Sequence, residues 1–224
     1  MHRMILAIFF LALPLGSVAA QAKTSRSPPK PIGESVTVNA VVFYDSAYTA
    51  QNEQQGRSDP KSGEDPMKKK VEAMLQKAQK HFNNQNISIK IETKQVTQTS
   101  NFSVPYGEKS LNATLTLKNL QVYAEAAAQS NNTVFYLLTE KAMYQESRRG
   151  DRIPRELFEI ATHSTFCSNQ ASAAVVRNGS EHWQYMRLVA ATASIFGSNT
   201  YTRIPPSDRD RMEIIFGRCH SQSI

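Results

Sequence analysis

The fold of this chain is decided by the stretch Ala190-Ala191-Thr192-Ala193-Ser194-Ile195-Phe196-Gly197-Ser198-Asn199-Thr200. Its alanines favour a helix, because alanine is the best helix former. Residues three or four apart place one face of that helix on Trp183, Met186, Ala190, Ser194 and Gly197. The pattern therefore predicts an amphipathic helix here, and a last helix over residues 207–216 after Pro205-Pro206.

Four further segments accompany this helix. Near the start, Val36-Thr37-Val38-Asn39-Ala40-Val41-Val42-Phe43-Tyr44-Asp45 alternates apolar residues and predicts a first strand. Before the helix come Thr165-Phe166-Cys167-Ser168 and the apolar run Ala171 to Val176. After it comes Phe216-Gly217-Arg218-Cys219-His220-Ser221.

In order and spacing these segments resemble the reprolysin-type (adamalysin-like) metzincin metalloproteases, especially the small secreted forms in the saliva of blood-feeding arthropods. The resemblance covers Glu34 to Ile224. It implies a zincin-like α+β (layered α/β) domain, in which helices pack a twisted mixed sheet. It also implies a shortened C-terminal subdomain, because only Asn199 to Ile215 separates the helix end from the closing motif.

The residues that do zinc chemistry in such a domain are replaced in this chain. A working helix reads H-E-x-x-H-x-x-G-x-x-H, where the histidines bind zinc and the glutamate polarises a water. With Gly197 as the motif glycine, the histidine positions are Ala190, Ser194 and Thr200, and the glutamate position is Ala191. Alanine offers no lone pair and neutral hydroxyls are poor zinc ligands. The resemblance thus implies a degenerate, inactive member with no catalytic residue, no metal ligand and no cofactor.

Other readings of the chemistry stay open at this point. The remaining histidines that could serve as metal ligands are His81, His163, His182 and His220, none of which is paired at ligand spacing on one element. An active secreted endopeptidase with non-standard zinc ligands is one alternative. A basic, glycan-binding secreted protein of unrelated fold is another.

The two cysteines, Cys167 and Cys219, are either one disulfide or two buried thiols. The resemblance favours the disulfide, because its flanking motifs carry a core bridge there. Cys167 as a nucleophile is a weaker reading, and no G-x-S-x-G elbow, P-loop or dinucleotide fingerprint is present.

The N-terminal segment has the form of a secretory signal. Arg3 supplies the charge, Met4 to Leu15 an apolar core too short to span a bilayer, and Val18-Ala19-Ala20 a cleavage site. We therefore expect a signal peptide over residues 1–20, a proline-rich linker over 21–33 and one metzincin-like domain over 34–224. Secretion would open five N-glycosylation sequons to modification, at Asn86, Asn101, Asn112, Asn131 and Asn178.

Charge and secretion limit the expected partners. The formal net charge is +7, with basic runs at Lys68-Lys69-Lys70 and Arg148-Arg149. A nucleic acid is excluded by the absence of a recognition motif, and a membrane by the absence of a spanning segment once the signal is cleaved. We expect a monomer that binds a protein, with an anionic glycan as a further partner. The salivary resemblance implies a host protein of haemostasis or immunity.

The rest of the chain alternates predicted strands and helices. Asp65-Pro66 is expected to start a helix that buries a Met and Phe stripe, and residues 111–128 to form another. Strands are expected at residues 87–91, 134–138, 162–167 and 171–176, the second of them buried at the centre of a sheet. Residues 51–63 and 148–155 are expected to be loops.

Overall fold

The computed structural model describes residues 30–48, 65–127, 129–145, 154–177 and 181–220, without the side chains of 181–184 and 220. The predicted signal peptide, most of the linker, the 51–63 loop, Arg148, Arg149 and Asn178 lie outside these residues. In chain order the elements are β1 (Ile32–Tyr44), α1 (Pro66–Asn83), β2 (Ile87–Gln98), β3 (Ser110–Asn112), α2 (Ala113–Ala126), β4 (Thr133–Thr139), β5 (Ala142–Gln145), β6 (Arg155–Leu157), β7 (Glu159–Ala161), β8 (Ser172–Arg177), α3 (Glu181–Ile195) and α4 (Pro206–His220).

A five-stranded mixed sheet forms the centre of the domain, in the order β2-β1-β4-β8-β7. The first four strands are parallel, and β7 pairs antiparallel with β8 at one edge. All residues of β4 are buried, as its continuous apolar run predicted for a central parallel strand. Strands β3, β5 and β6 form a separate small sheet.

Helices cover both faces of the main sheet. The alternating residues Val36, Val38, Ala40 and Val42 of β1 face a core shared with α1, α3 and α4. The intervening Val41 and Phe43 face a second core with α2. The predicted α+β fold, a mixed sheet packed by helices, is therefore confirmed. Among the described residues that follow Gly197, α4 is the one helix.

Local signals placed several elements correctly. The Asp65 carboxylate caps α1 by accepting a hydrogen bond from the Met67 N–H at 2.9 Å, and Pro66 occupies the first turn. β2 includes the predicted residues 87–91, β8 matches the run 171–176, and α3 and α4 lie where helices were expected. β1 begins at Ile32, within the last residues of the predicted linker.

Two predicted elements are wrong in part. The predicted helix over 111–128 begins only at Ala113, because Leu111 pairs with β5 and Asn112 accepts the Leu115 N–H as the helix cap. The predicted strand over 162–167 is a loop. Ser164 and Cys167 adopt positive φ, which lies outside the region of regular strand residues, and the Ser164 and Phe166 N–H groups bond to helix carbonyls instead of a neighbouring strand. Arg155, expected in a loop, lies in β6.

A disulfide joins the last helix, α4, to this loop. Cys167 and Cys219 form a disulfide, which confirms the pairing that the resemblance favoured. Four buried aromatic rings make edge-to-face or tilted contacts beside this disulfide. They are Phe82 of α1, Phe166 of the loop, Phe196 after α3 and Phe216 of α4. None of the helices described is both long and apolar enough to cross a membrane.

Candidate binding site at helix α3 and strand β7

Helix α3 ends in a turn that only glycine fits well. The Gly197 N–H donates to the Ser194 carbonyl and the Ser198 N–H to the Ala193 carbonyl, both at 2.8 Å. These two bonds form a Schellman motif with Gly197 at φ +86°. The positive φ of this turn explains why a glycine follows the end of α3.

The loop that was expected to be a strand caps the same helix end. Ser164 N–H donates to the Ser194 carbonyl at 3.0 Å, and Phe166 N–H to the Ile195 carbonyl at 3.3 Å. These are carbonyls that a helix C-terminus leaves without partners inside the helix. The need to satisfy them explains why this segment departs from the sheet.

We expect Gly197→Ala to lower the free energy of unfolding by about 3 kcal/mol, because strain and overpacking add. An added Cβ would lie 2.7 Å from Ile215 Cδ1 and 2.9 Å from Ser164 Oγ, at a φ that L-residues rarely adopt. Gly217→Ala is the matched control, because a Cβ there meets nothing within 4 Å. In chemical denaturation the control should equal or exceed the native protein in stability. A loss below about 1 kcal/mol for Gly197→Ala would contradict the tight turn.

The two helix positions that the sequence registration equates with histidines share the half-exposed face of α3. Ala190 and Ser194, one turn apart, are partly accessible, whereas Ala191, Thr192 and Ala193 between them are buried. Thr192 faces the sheet, where its hydroxyl donates to the Leu188 carbonyl and accepts from Tyr136 OH at 2.9 Å. Burial raises the pKa of the Tyr136 phenol, so it stays a neutral donor. This contact fixes the rotation of α3 and so keeps positions 190 and 194 outward.

The glutamate position differs from the histidine positions in its environment. Ala191 is only 1% exposed. A carboxylate there would be desolvated, which disfavours its charged form. The present helix therefore offers a surface at the ligand positions but none at the position of the general base.

One histidine does reach this face. His163, exposed in the capping loop, has its Nδ1 3.3 Å from Ser194 Oγ. Thr200, the third ligand position, lies in the turn after Gly197, where its hydroxyl donates to the Arg203 carbonyl and its own carbonyl accepts from Ser198 Oγ. A single imidazole with alanine and hydroxyl neighbours does not fit zinc, which takes three or four nitrogen, sulfur or carboxylate ligands.

The other histidines serve elsewhere or cannot be placed. His81 Nε2 lies 2.8 Å from the Tyr201 carbonyl, in a contact that joins α1 to the segment before α4. The side chains of His182 and His220 lie outside the part of the structure that is described. Within the described residues, no group of three or more His, Cys, Asp or Glu is placed to hold a metal ion.

Beside this face, strand β7 has an outer backbone edge that pairs with no other strand of the described residues. Arg177 N–H donates to the Phe158 carbonyl and Thr162 N–H to the Ala173 carbonyl, at 2.8 and 2.9 Å. Because paired and outward residues alternate along an antiparallel ladder, Glu159 and Ala161 direct their N–H and C=O groups away from the sheet. Among the described strands none pairs with this edge.

An aromatic side chain marks the start of that edge. Phe158 is 46% exposed, with the Arg187 guanidinium 4.2 Å and that of Arg177 5.7 Å from its ring centroid. Arg177 also pairs with Glu156, and Arg187 donates to the Arg177 carbonyl. Burial raises the pKa of the Glu159 carboxyl, against the smaller opposing effects of Arg187 and Arg155. An exposed ring held by two cations is a ready contact for a partner.

Two features of the structure, strand β7 and the buried Asp208, were not predicted from the sequence. β7 has only three residues, too few for a periodic signal. Asp208 was also missed, although it is buried, accepts from Asn199 N–H at 3.1 Å and lies 2.7 Å from Ser198 Oγ, whose single proton it shares with the Thr200 carbonyl. An acidic residue in the first turn of a predicted helix was the available signal.

Comparisons with known proteins give likenesses of structure alone. No protein-family model matches the chain, and no curated protein matches it in sequence. Metalloproteinase-II from Bacteroides fragilis is similar with a TM-score of 0.47 and 12% identity over 84% of this chain, which spans 55% of that protein. Archaemetzincin from Methanopyrus kandleri has a TM-score of 0.41 and 10% identity, covering 83% of this chain and 94% of that one. Archaemetzincin from Archaeoglobus fulgidus has a TM-score of 0.39 and 14% identity, covering 81% and 98%. With TM-scores below 0.5, these likenesses assign neither a family nor an activity.

Proposed function

We propose that this protein is a secreted, catalytically inactive metalloprotease-like domain that acts by binding a protein. One observation carries the proposal. Ala190 and Ser194 lie one turn apart on the accessible face of a helix that ends at the buried glycine Gly197. That is the arrangement of a zinc-binding helix, with side chains that cannot bind zinc.

Inactivity follows from the donor set. Hydrolysis by zinc needs about three ligands, an open coordination position and a general base. The corresponding positions hold Ala190, Ser194, Thr200 and Ala191. Because such groups act as a unit, His163 by itself cannot restore the rate.

The backbone groups on the outward edge of β7 could bind a segment of another protein. An extended segment can pair with an exposed sheet edge through main-chain hydrogen bonds, and its side chains then contact the flanking surfaces. Here Glu159 and Ala161 offer the backbone groups, while Phe158, His163 and the Ala190–Ser194 face flank them. We therefore assign the binding site to the β7 edge, with an extended protein segment as ligand.

The proposed location and target rest on separate support. A disulfide persists in an oxidising compartment, which agrees with a secretory signal at residues 1–20. The sequence resemblance to salivary metzincins suggests a host protein of haemostasis or immunity as the target. That target is an analogy at the level of the family.

The binding site is tested with Ala161→Pro. Proline removes the outward N–H of residue 161 without removing a ladder hydrogen bond to β8, so the sheet should persist. Peptides selected against the native protein from a displayed random library should bind Ala161→Pro at least about tenfold more weakly, as expected for one lost buried hydrogen bond.

Lys69→Ala, on the exposed face of α1, is the control and should leave the affinity for these peptides unchanged. Near-ultraviolet circular dichroism should show that both variants are folded. Peptides that bind the native protein and Ala161→Pro equally would place the site elsewhere.

The second candidate function is binding to an anionic glycan. Lys69, Lys77 and Lys80 are exposed on α1, away from the β7 edge. Replacing these three lysines with alanine should bring elution from immobilised heparin to lower salt, while peptide binding at β7 stays unchanged. Unchanged elution would show that these side chains are only solvated surface.

A further inference from the structure

A cavity of about 170 Å³ lies on the other side of β8 from the proposed binding edge, between the end of α2, the start of β4 and the loop before β8. It has room for a few water volumes of about 30 Å³ each, so it suits one small ring and not an extended chain. Of its lining residues, Glu125 is the one with an acidic or basic side chain. The cavity is therefore suited to a neutral, polar ligand.

The walls combine polar and apolar surface in similar measure. Gln129, Asn169 and Gln170 are among the lining residues, and their side-chain amides make no hydrogen bond within the described part of the protein. Ala124 and Ala171 supply apolar surface in the same cavity. Amide donors and acceptors around an apolar patch match a sugar that carries hydroxyls and an acetamido methyl.

One lining residue is also a glycosylation acceptor. Asn131 begins the sequon Asn131-Asn132-Thr133. Its carbonyl accepts the Cys167 N–H at 3.0 Å, and Cys167 is held by the disulfide to Cys219. The attachment point is thus fixed relative to the wall at residues 168–170, where Ser168 Oγ donates to the Thr165 carbonyl and accepts the Gln170 N–H.

We propose that this cavity seats the first N-acetylglucosamine of a glycan carried on Asn131. In the transfer, a bond forms between the sugar C1 and Asn131 Nδ2. The C1–oxygen bond to the diphosphate of a lipid-linked donor breaks, and the amide proton passes to the transferring enzyme. The acetamido methyl then lies on Ala124 and Ala171, and the sugar hydroxyls meet the amides of Gln129, Asn169 and Gln170. The inference rests on the secretion that forms part of the proposed function.

The test compares three forms of the secreted protein. These carry the full glycan, a single N-acetylglucosamine left by an endoglycosidase, or none at this site through Asn131→Gln. The first two forms should unfold at the same temperature, and Asn131→Gln about 2–4 °C lower. Amide exchange at residues 168–172 should be slower in the first two forms by roughly threefold or more. Asn101→Gln, at an exposed turn, is the control and should change neither quantity.

A wall variant separates a seated sugar from a merely tethered one. Asn169→Ala should lower the unfolding temperature of the form that carries the single sugar. The same substitution made in Asn131→Gln should leave the unfolding temperature of that variant unchanged. Glycan at Asn101 with none at Asn131 would overturn the inference while leaving secretion intact. Absence of glycan at every sequon would instead count against secretion and with it the proposed function. Binding of free N-acetylglucosamine in this cavity of the fully glycosylated protein would show that the attached sugar lies elsewhere.

Discussion

Loss of the Cys167–Cys219 disulfide is expected to lower the free energy of unfolding by about 4 kcal/mol on the chain-entropy model. The bridge spans 52 residues, so it restricts a long loop of the unfolded chain. That loop contains all of α3 and most of α4. Cys167 is buried beside Phe166, and in the folded state it holds the loop that caps α3.

The measurement is thermal unfolding of the oxidised protein and of Cys167→Ser combined with Cys219→Ser. The double variant should unfold about 8–16 °C lower. Reductant should lower the transition of the native protein to a similar degree and leave the double variant unaffected. A change below about 1 kcal/mol, or two alkylatable thiols in the native secreted protein, would show that the bridge does not hold the fold together.

Histidines at the three predicted ligand positions should create a zinc site. We expect Ala190→His, Ser194→His and Thr200→His together to raise bound zinc from below about 0.1 to about 1 per chain after dialysis. Ala190 and Ser194 already share an accessible face, and Gly197 turns the chain directly after it. Because Ala191 remains in place of the base, the variant should bind zinc and still hydrolyse no peptide.

The control is a histidine pair that has no third ligand. Lys69→His with Ala73→His places two imidazoles one turn apart on the exposed face of α1. It should lose zinc on dialysis, and the combination of Ala190→His with Ser194→His alone should hold zinc only slightly better. Equal retention by the triple variant and the α1 pair would mean that Thr200 does not occupy the third position, and the registration on Gly197 would fail.

Much of the layered fold could be predicted from local sequence. The continuous apolar run of β4 indicated a strand covered on both faces, and Asp65-Pro66 marked the start of α1. Each of these sequence signals lies within a single strand or helix. The resemblance added what periodicity cannot give, namely that Cys167 meets Cys219.

The site was less predictable because it depends on contacts between distant segments. Thr162 to Cys167 alternates like a strand, yet the N–H groups of Ser164 and Phe166 donate to the open carbonyls of α3. The approach of His163 to Ser194 follows from that capping and has no sequence signal of its own. The outward direction of Glu159 and Ala161 depends on the register of β7 against β8, which three residues cannot specify.

The metal content and peptidase activity of the native protein test the central claim most directly. The secreted protein is purified, dialysed against buffer with trace zinc, and analysed for zinc and for cleavage of casein and quenched peptides. The account predicts less than about 0.1 zinc per chain and no cleavage with or without added zinc, since His163 is the one imidazole placed beside Ser194 on this face in the described structure. One zinc per chain, with chelator-sensitive cleavage that is lost on His163→Ala, would contradict it.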